Sequence, residues 1–296
     1  ASKLKKTTVL AEYLRSLGEK DVGIAARFLA AQPFAPSSSK SLQVGGAIVV
    51  EAVRQVAGVD RQTLNQAFGE HGEIGEAISP LWPEPEEGAE PLRLQEVQGV
   101  FEAIAATGVQ EAKRQLVVSL LRRCGSREAV YLTKIILGDM RTGVSEGVIE
   151  MALAEAFGEK VGAVRSARLL VGDLDAVAEL AFNRALDRAA FRPFVPLGYM
   201  LAQPVMTAEE MVAVLAGREA IAEDKYDGIR AQLHAAPVEG EGARGVRVEL
   251  FSRGSGLVTY SFPDIVEGVR AFARGGGGNG RRFVLDGEIV PMRVGA

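Results

Sequence analysis

The spacing of apolar residues changes once along this 296-residue chain, and that change limits what it can fold into. Up to about residue 190 they recur every three or four positions, in stretches such as DVGIAARFLAAQ, GAIVVEAVRQVAG, LQEVQGVFEAIAAT and SEGVIEMALAEAFG. One face of an α-helix requires that period. VLAEYLRSL, DRQTLNQAFG, VQEAKRQLVVSLLRRC, REAVYLTKIIL and DLDAVAELAFNRALDRAA share it. Pro193, Pro196 and Pro204 then end the helical regime, and beyond them β-branched and aromatic residues alternate between glycine-rich joints. Two unlike units are expected: an all-α unit over 1–192 and an α+β unit over 193–296, with mainly antiparallel strands.

In the first unit Val144, Val148, Ala152 and Phe157 form a core stripe, Ser145 is the expected N-cap and Gly158 the stop. APSSSKS and the proline- and glutamate-rich SPLWPEPEEGAEP read as solvated connectors. In the second unit AEEMVAVLAG and PDIVEGVRAFA read as helices. EAIAEDKY, IRAQLHAA, VRVELFSR and RFVLDGEIV read as strands, and ARGGGGNGRR as a loop without the Lys-Ser/Thr ending of a phosphate-binding loop.

Cys124 is the only cysteine, which excludes a disulfide framework and a multi-cysteine zinc site and fits a reducing compartment. No apolar run reaches membrane-spanning length, and the N-terminus lacks a secretion signal, so a cytoplasmic protein without membrane contacts is expected. The formal net charge of −4 hides an asymmetry. Residues 113–141 carry seven basic side chains against Glu128 and Asp139, whereas 69–102 carry nine glutamates against Arg93. The basic run is either a polyanion surface or a solvated helical face.

His71 and His234 are the only histidines, which leaves little material for a histidine-based nucleophile pair. His234 reads as a residue satisfied within the sheet and His71 as a surface loop residue. The run EDKYDGIR is more demanding. If it is a strand ending in an Asp-Gly turn, Glu223, Lys225 and Asp227 share one face, and Gly228 turns the chain before Arg230. Lys-x-Asp-Gly alone arises by chance in roughly one chain in fifteen of this length. Adding the flanking Glu and Arg lowers that to about one in several thousand.

Glu-x-Lys-x-Asp-Gly-x-Arg resembles the signature of the covalent nucleotidyltransferases: ATP-dependent DNA ligases, RNA ligases and mRNA capping enzymes. LFSRGSG with Arg253 and FVLDGEIV with Asp286 and Glu288 follow in the family's order. The resemblance implies that Lys225 is adenylated by ATP with Mg²⁺ present, Glu223 accepts a hydrogen bond from the adenine amino group, and Arg230 and Glu288 hold the ribose. It implies phosphate contact for Arg253, and structural or metal-associated roles for Asp227, Asp286 and Glu288. A lysine nucleophile must be deprotonated, so burial or nearby cations are expected around Lys225.

The texture of LTKIILGDMRTGVSEGVIEMALAEAF, of SKSLQVGGAIVVEAV and of PLGYMLAQPV is similar to cellular ATP-dependent DNA ligases, in which a helical DNA-binding domain precedes the adenylation domain. That resemblance implies a monomer acting on nicked double-stranded DNA. Lys134, Arg141, Thr142, Gly143 and Ser145 are the DNA-contact candidates, the last near a helix N-terminus suited to phosphate. The family's later motifs, a stacking aromatic and a pair of lysines among them, have no counterpart before Ala296, so a piece of a longer ligase with impaired sealing is expected. A non-catalytic DNA- or partner-binding module and an RNA ligase or capping enzyme stay open as alternatives.

Overall fold

The computed structural model describes residues 2–38, 40–83, 90–198, 203–238, 245–253, 256–274 and 282–291. Residues 84–89 of SPLWPEPEEGAEP and 275–281 of ARGGGGNGRR lie outside these residues. The chain divides into two compact units, Ala1–Ala190 and Phe191–Ala296.

The first unit is helical, with α1 (Lys3–Arg15), α2 (Glu19–Leu29), α3 (Gly46–Ala57), α4 (Arg61–His71), α5 (Ile74–Ile78), α6 (Leu94–Ala106), α7 (Gln110–Leu121), α8 (Ser126–Leu137), α9 (Glu146–Phe157), α10 (Val161–Val171) and α11 (Leu174–Phe182). Two apolar cores hold it together. Phe101, Ile104, Leu120, Leu121 and Ile78 belong to one; Leu14, Ile149, Leu153, Val164 and Leu174 belong to the other. Removing each such side chain from water stabilises the fold by roughly 1.5–3 kcal/mol. Helix α2 serves both, giving Phe28 to the first core and Val22, Ala25 and Ala26 to the second. Between them Arg27 is buried, with Nε 3.1 Å from Asp175 Oδ2 and Nη2 2.9 Å from Gln98 Oε1. It therefore ties α2 to both α6 and α11.

Several local expectations change. Helix α10 has no counterpart among the periodic stretches above: its buried positions are Val164, Ala167 and Val171, whereas Leu169 and Leu170 are exposed and blur the stripe beside Gly162, Arg165 and Arg168. The helix expected from Asp173 to Ala190 stops at Phe182, because Asn183 caps it and Arg184 takes a left-handed φ of 52°. SPLWPEPEEGAEP is not wholly a solvated connector, since Trp82 is buried and its Nε1 donates to Cys124 O at 2.9 Å. Ser145 occupies the N-cap of α9, but its hydroxyl does not make the capping bond.

The second unit contains α12 (Ala208–Leu215), β1 (Ile229–Pro237), β2 (Val246–Ser252), α13 (Pro263–Arg274) and β3 (Phe283–Ile289). Its strands form one sheet in the order β2-β1-β3, with both pairings antiparallel. Ala231, Leu233 and Ala235 of β1 face a core shared with Val248, Leu250 and Val266. Strand side chains alternate, so Arg230, Gln232 and His234 are left on the other face.

EAIAEDKY is not a strand: residues 218–227 are irregular and exposed. The Asp227-Gly228 pair is therefore not a hairpin turn, and Glu223, Lys225 and Asp227 are not aligned by a strand's alternation. Gly228 also has no left-handed φ. Its requirement is a close approach, because a Cβ built there would lie 2.3 Å from the Ile289 carbonyl oxygen. Only glycine lets the start of β1 sit against the end of β3. Gly228→Ala is expected to push these strand ends apart, destabilising the second unit by about 1–3 kcal/mol. Hydrogen exchange of the β1 and β3 amides measures it, and wild-type protection at Ile229 and Arg230 would contradict it.

Candidate functional site

The polar face of the sheet gathers the conspicuous residues of the second unit. In the β1–β3 register Arg230 lies opposite Glu288 and Gln232 opposite Asp286. Directly opposed residues project to the same face, so both carboxylates reach the Arg230 side. Arg230 grips Asp286 with two bonds, Nε to Oδ1 at 3.0 Å and Nη2 to Oδ2 at 2.5 Å. The hydrogen bond from Arg230 holds the Asp286 pKa below its ordinary value. Glu288 Oε1 accepts from the Gly228 backbone N–H at 3.2 Å. In the β1–β2 register Gln232 lies opposite Phe251, and Arg253 follows the end of β2.

A shallow depression results, lined by Pro196, Leu197, Arg230, Gln232, Phe251, Ser252, Arg253 and Asp286. Arg253 is exposed and makes no hydrogen bond or ion pair among the described residues. Its free guanidinium beside Arg230 suits an anion. Glu223 and Lys225 sit on the exposed coil leading into β1, likewise without a partner among the described residues. The structure thus brings Arg230, Arg253, Asp286 and Glu288 together, and leaves Lys225 in solvent rather than in the desolvated place expected of it.

A resident metal does not fit these residues. Asp286 is committed to Arg230 and Glu288 to the Gly228 amide, and no cluster of three or more metal-ligating side chains occurs among the described residues.

His234 is fully buried between Phe191 and Phe251, with ring centroids 5.9 and 5.0 Å away, and burial pushes its pKa down to about 4. Its Nδ1 accepts from the Phe194 N–H at 3.0 Å, and its Nε2 lies 3.0 Å from Gln232 Oε1. No local pattern joins Gln232 and His234 to the segment carrying Pro196 and Leu197.

In the helical unit, the acidic and basic runs meet through Lys134 and Arg123. Lys134 is buried, with Nζ 3.1 Å from Glu73 and 2.9 Å from Glu76. Burial alone would lower its pKa; the bonds to Glu76 and Glu73 outweigh burial and raise it. Arg123 pairs with Glu96 at 3.2 Å, and Lys113 is buried, donating to Leu42 O at 2.7 Å. Lys134 is accordingly a buried ion-pair residue with little surface to offer a polyanion. Of the seven basic residues, Arg122 and Arg127 remain exposed and unpaired among the described residues.

Arg141 is exposed with a left-handed φ of 46°, and its Nε donates to Asp139 at 2.6 Å. Thr142 and Gly143 present their carbonyls to Lys6 Nζ at 2.8 and 3.2 Å. Lys6, far away in sequence, thereby supports the loop that leads through Ser145 into α9.

Comparisons with known proteins agree with this layout. The family profile described as "DNA ligase N terminus" matches residues 1–154, and that described as "ATP dependent DNA ligase domain" matches residues 199–294. A probable DNA ligase of Koribacter versatilis is 36% identical over all of this chain, which covers 48% of that protein. A probable DNA ligase of Opitutus terrae is 32% identical over 99% of the chain and 34% of its own length. A DNA ligase of Thermococcus fumicolans is 30% identical over 98% of the chain and 51% of its own length. The chain spans about half the length, or less, of these curated relatives. With one profile matching most of the helical unit and another covering the sheet that carries Arg230, Arg253, Asp286 and Glu288, the chain belongs to the ATP-dependent DNA ligase family.

Proposed function

We propose that this chain supplies the DNA-binding unit and part of the adenylation site of a ligase that seals nicks in duplex DNA. The observation that carries the reading is the convergence of Arg230, Arg253, Asp286 and Glu288 on one face of a sheet whose entering coil bears Lys225.

In this reading the Lys225 Nζ lone pair attacks the α-phosphorus of ATP, forming a P–N bond. The bond to the bridging oxygen breaks, pyrophosphate leaves with the electron pair, and Nζ loses its proton to solvent. A 5′-phosphate oxygen of the nick then displaces the lysine and takes the AMP. The 3′-hydroxyl finally attacks that 5′-phosphate, releasing AMP and closing the strand. Arg253 draws the nucleotide phosphates. Glu223 accepts from the adenine amino group. Glu288, opposite Arg230, contacts the ribose with it, and Asp286 keeps Arg230 in place. Mg²⁺ enters only as the counter-ion that accompanies ATP.

Arg122, Arg127 and Arg141 offer charge to the DNA backbone, with the 142–145 loop following Arg141 and Lys6 buttressing that loop. A monomer in the cytoplasm remains part of the proposal; among the described residues, no helix is long and apolar enough to cross a membrane.

Incubation of the chain with α-labelled ATP and Mg²⁺ is expected to leave covalent label that withstands denaturant and alkali and is released by acid, as a P–N bond requires, with at least a hundredfold less on Lys225→Ala, in line with loss of the proposed nucleophile. Label that survives the substitution would refute Lys225. For DNA, the Arg122→Glu, Arg127→Glu double variant is expected to weaken nicked-duplex binding and to make the salt dependence shallower by roughly two counterions. An unchanged slope in a titration from low to moderate salt would remove these residues from the interface.

A further inference from the structure

Three hydrogen bonds fasten the segment 194–197 across the polar face of the sheet, and a fourth joins the two side chains that hold it. Phe194 N–H donates to His234 Nδ1 at 3.0 Å, and Leu197 N–H to Gln232 Oε1 at 2.7 Å. Gln232 Nε2 donates to Leu197 O at 3.2 Å. The fourth links the two side chains: with Nδ1 accepting, the proton of the neutral imidazole resides on Nε2, which donates to Gln232 Oε1 at 3.0 Å. That contact sets the Gln232 amide with its oxygen toward two donors and its nitrogen toward the Leu197 carbonyl. Turning the amide over would place its NH₂ against both donors. Each bond thus dictates the next.

We propose that Gln232 and His234 are positioning residues for nucleotide binding, holding Pro196 and Leu197 as one wall of the depression that presents Arg230 and Arg253. This rests on the nucleotide reading given above.

Three observations support it. Pro196 and Leu197 line the same depression as Arg230, Arg253 and Asp286, and Pro196 is buried there. The segment is gripped again beside this network, where the Arg247 guanidinium stacks over the Phe194 ring at 4.0 Å. The third is the choice of residue type. On its opposite face β1 meets its core with Ala231, Leu233 and Ala235, which satisfy packing without polar atoms. An imidazole and an amide on the polar face cost desolvation, and in return they give a directional attachment that apolar contacts cannot supply. Packing alone would be met by leucine or methionine.

The test compares Gln232→Met, His234→Leu and His234→Asn with the wild-type chain. Asn retains an acceptor close to where Nδ1 sits. ATP affinity is read by calorimetry, and single-turnover transfer of α-label to Lys225 is read at saturating ATP. Gln232→Met and His234→Leu are expected to weaken ATP binding about tenfold, the size expected for unpaired buried groups. The transfer rate at saturation is expected to stay within about twofold, and His234→Asn to recover most of the affinity. Wild-type affinity in a cooperatively unfolding Gln232→Met protein overturns the proposal. So does a parallel loss of affinity, rate and cooperative unfolding that His234→Asn does not relieve, since that is a purely structural role. A wild-type chain that neither binds ATP nor takes label overturns instead the nucleotide reading beneath it.

Discussion

The position of β1 between β2 and β3 is the constraint on which the site depends. Antiparallel pairing on both sides puts Arg230 opposite Glu288 and Gln232 opposite both Asp286 and Phe251. A one-residue slip would send all of these to the buried face, where Ala231, Leu233 and Ala235 now pack. Burial of one face therefore locks the polar composition of the other. Gly228 adds the second lock, because any side chain there would collide with the end of β3.

The helical unit shows how weakly a linear charge pattern predicts a surface. A basic run and an acidic run, each conspicuous alone, fold against one another through Lys134 with Glu73 and Glu76, and Arg123 with Glu96. The buried pair at Lys134 joins α8 to the α4–α5 region and leaves little of that lysine to meet DNA. What reaches solvent unpaired among the described residues is a smaller set, Arg122 and Arg127. Non-specific DNA affinity depends on such free charges and not on the number of basic residues in the run.

Helices with a wide apolar stripe were legible in advance, as α3, α6 and α9 illustrate, because one periodic face suffices to mark them. Helix α10 was not, since Gly162 sits in its first turn and its large apolar residues Leu169 and Leu170 stay exposed, off the buried positions Val164, Ala167 and Val171. The strands β1, β2 and β3 were legible from alternation, whereas the stretch before β1 was not: its composition suits a strand, but no neighbouring strand in the described residues pairs with it. The Asp-Gly pair at 227–228 reads locally as a turn, and its real constraint is a contact with a carbonyl some sixty residues later. No local pattern encodes such a contact.

By itself the sequence determined that the chain has a helical part and an α+β part, and that a spaced set of charged residues of one family's type lies in the second. Period, proline placement and residue identity are local properties, so they survive without a fold. Tertiary structure decided which of those charges remain available. It spent Lys134 and Lys113 inside the helical unit, paired Arg230 with Asp286, left Arg253 free, and drew Gln232 and His234 into a buried network with the segment 194–197. Burial and partner geometry set the chemistry of a charged group, and both arise only when distant parts of the chain meet.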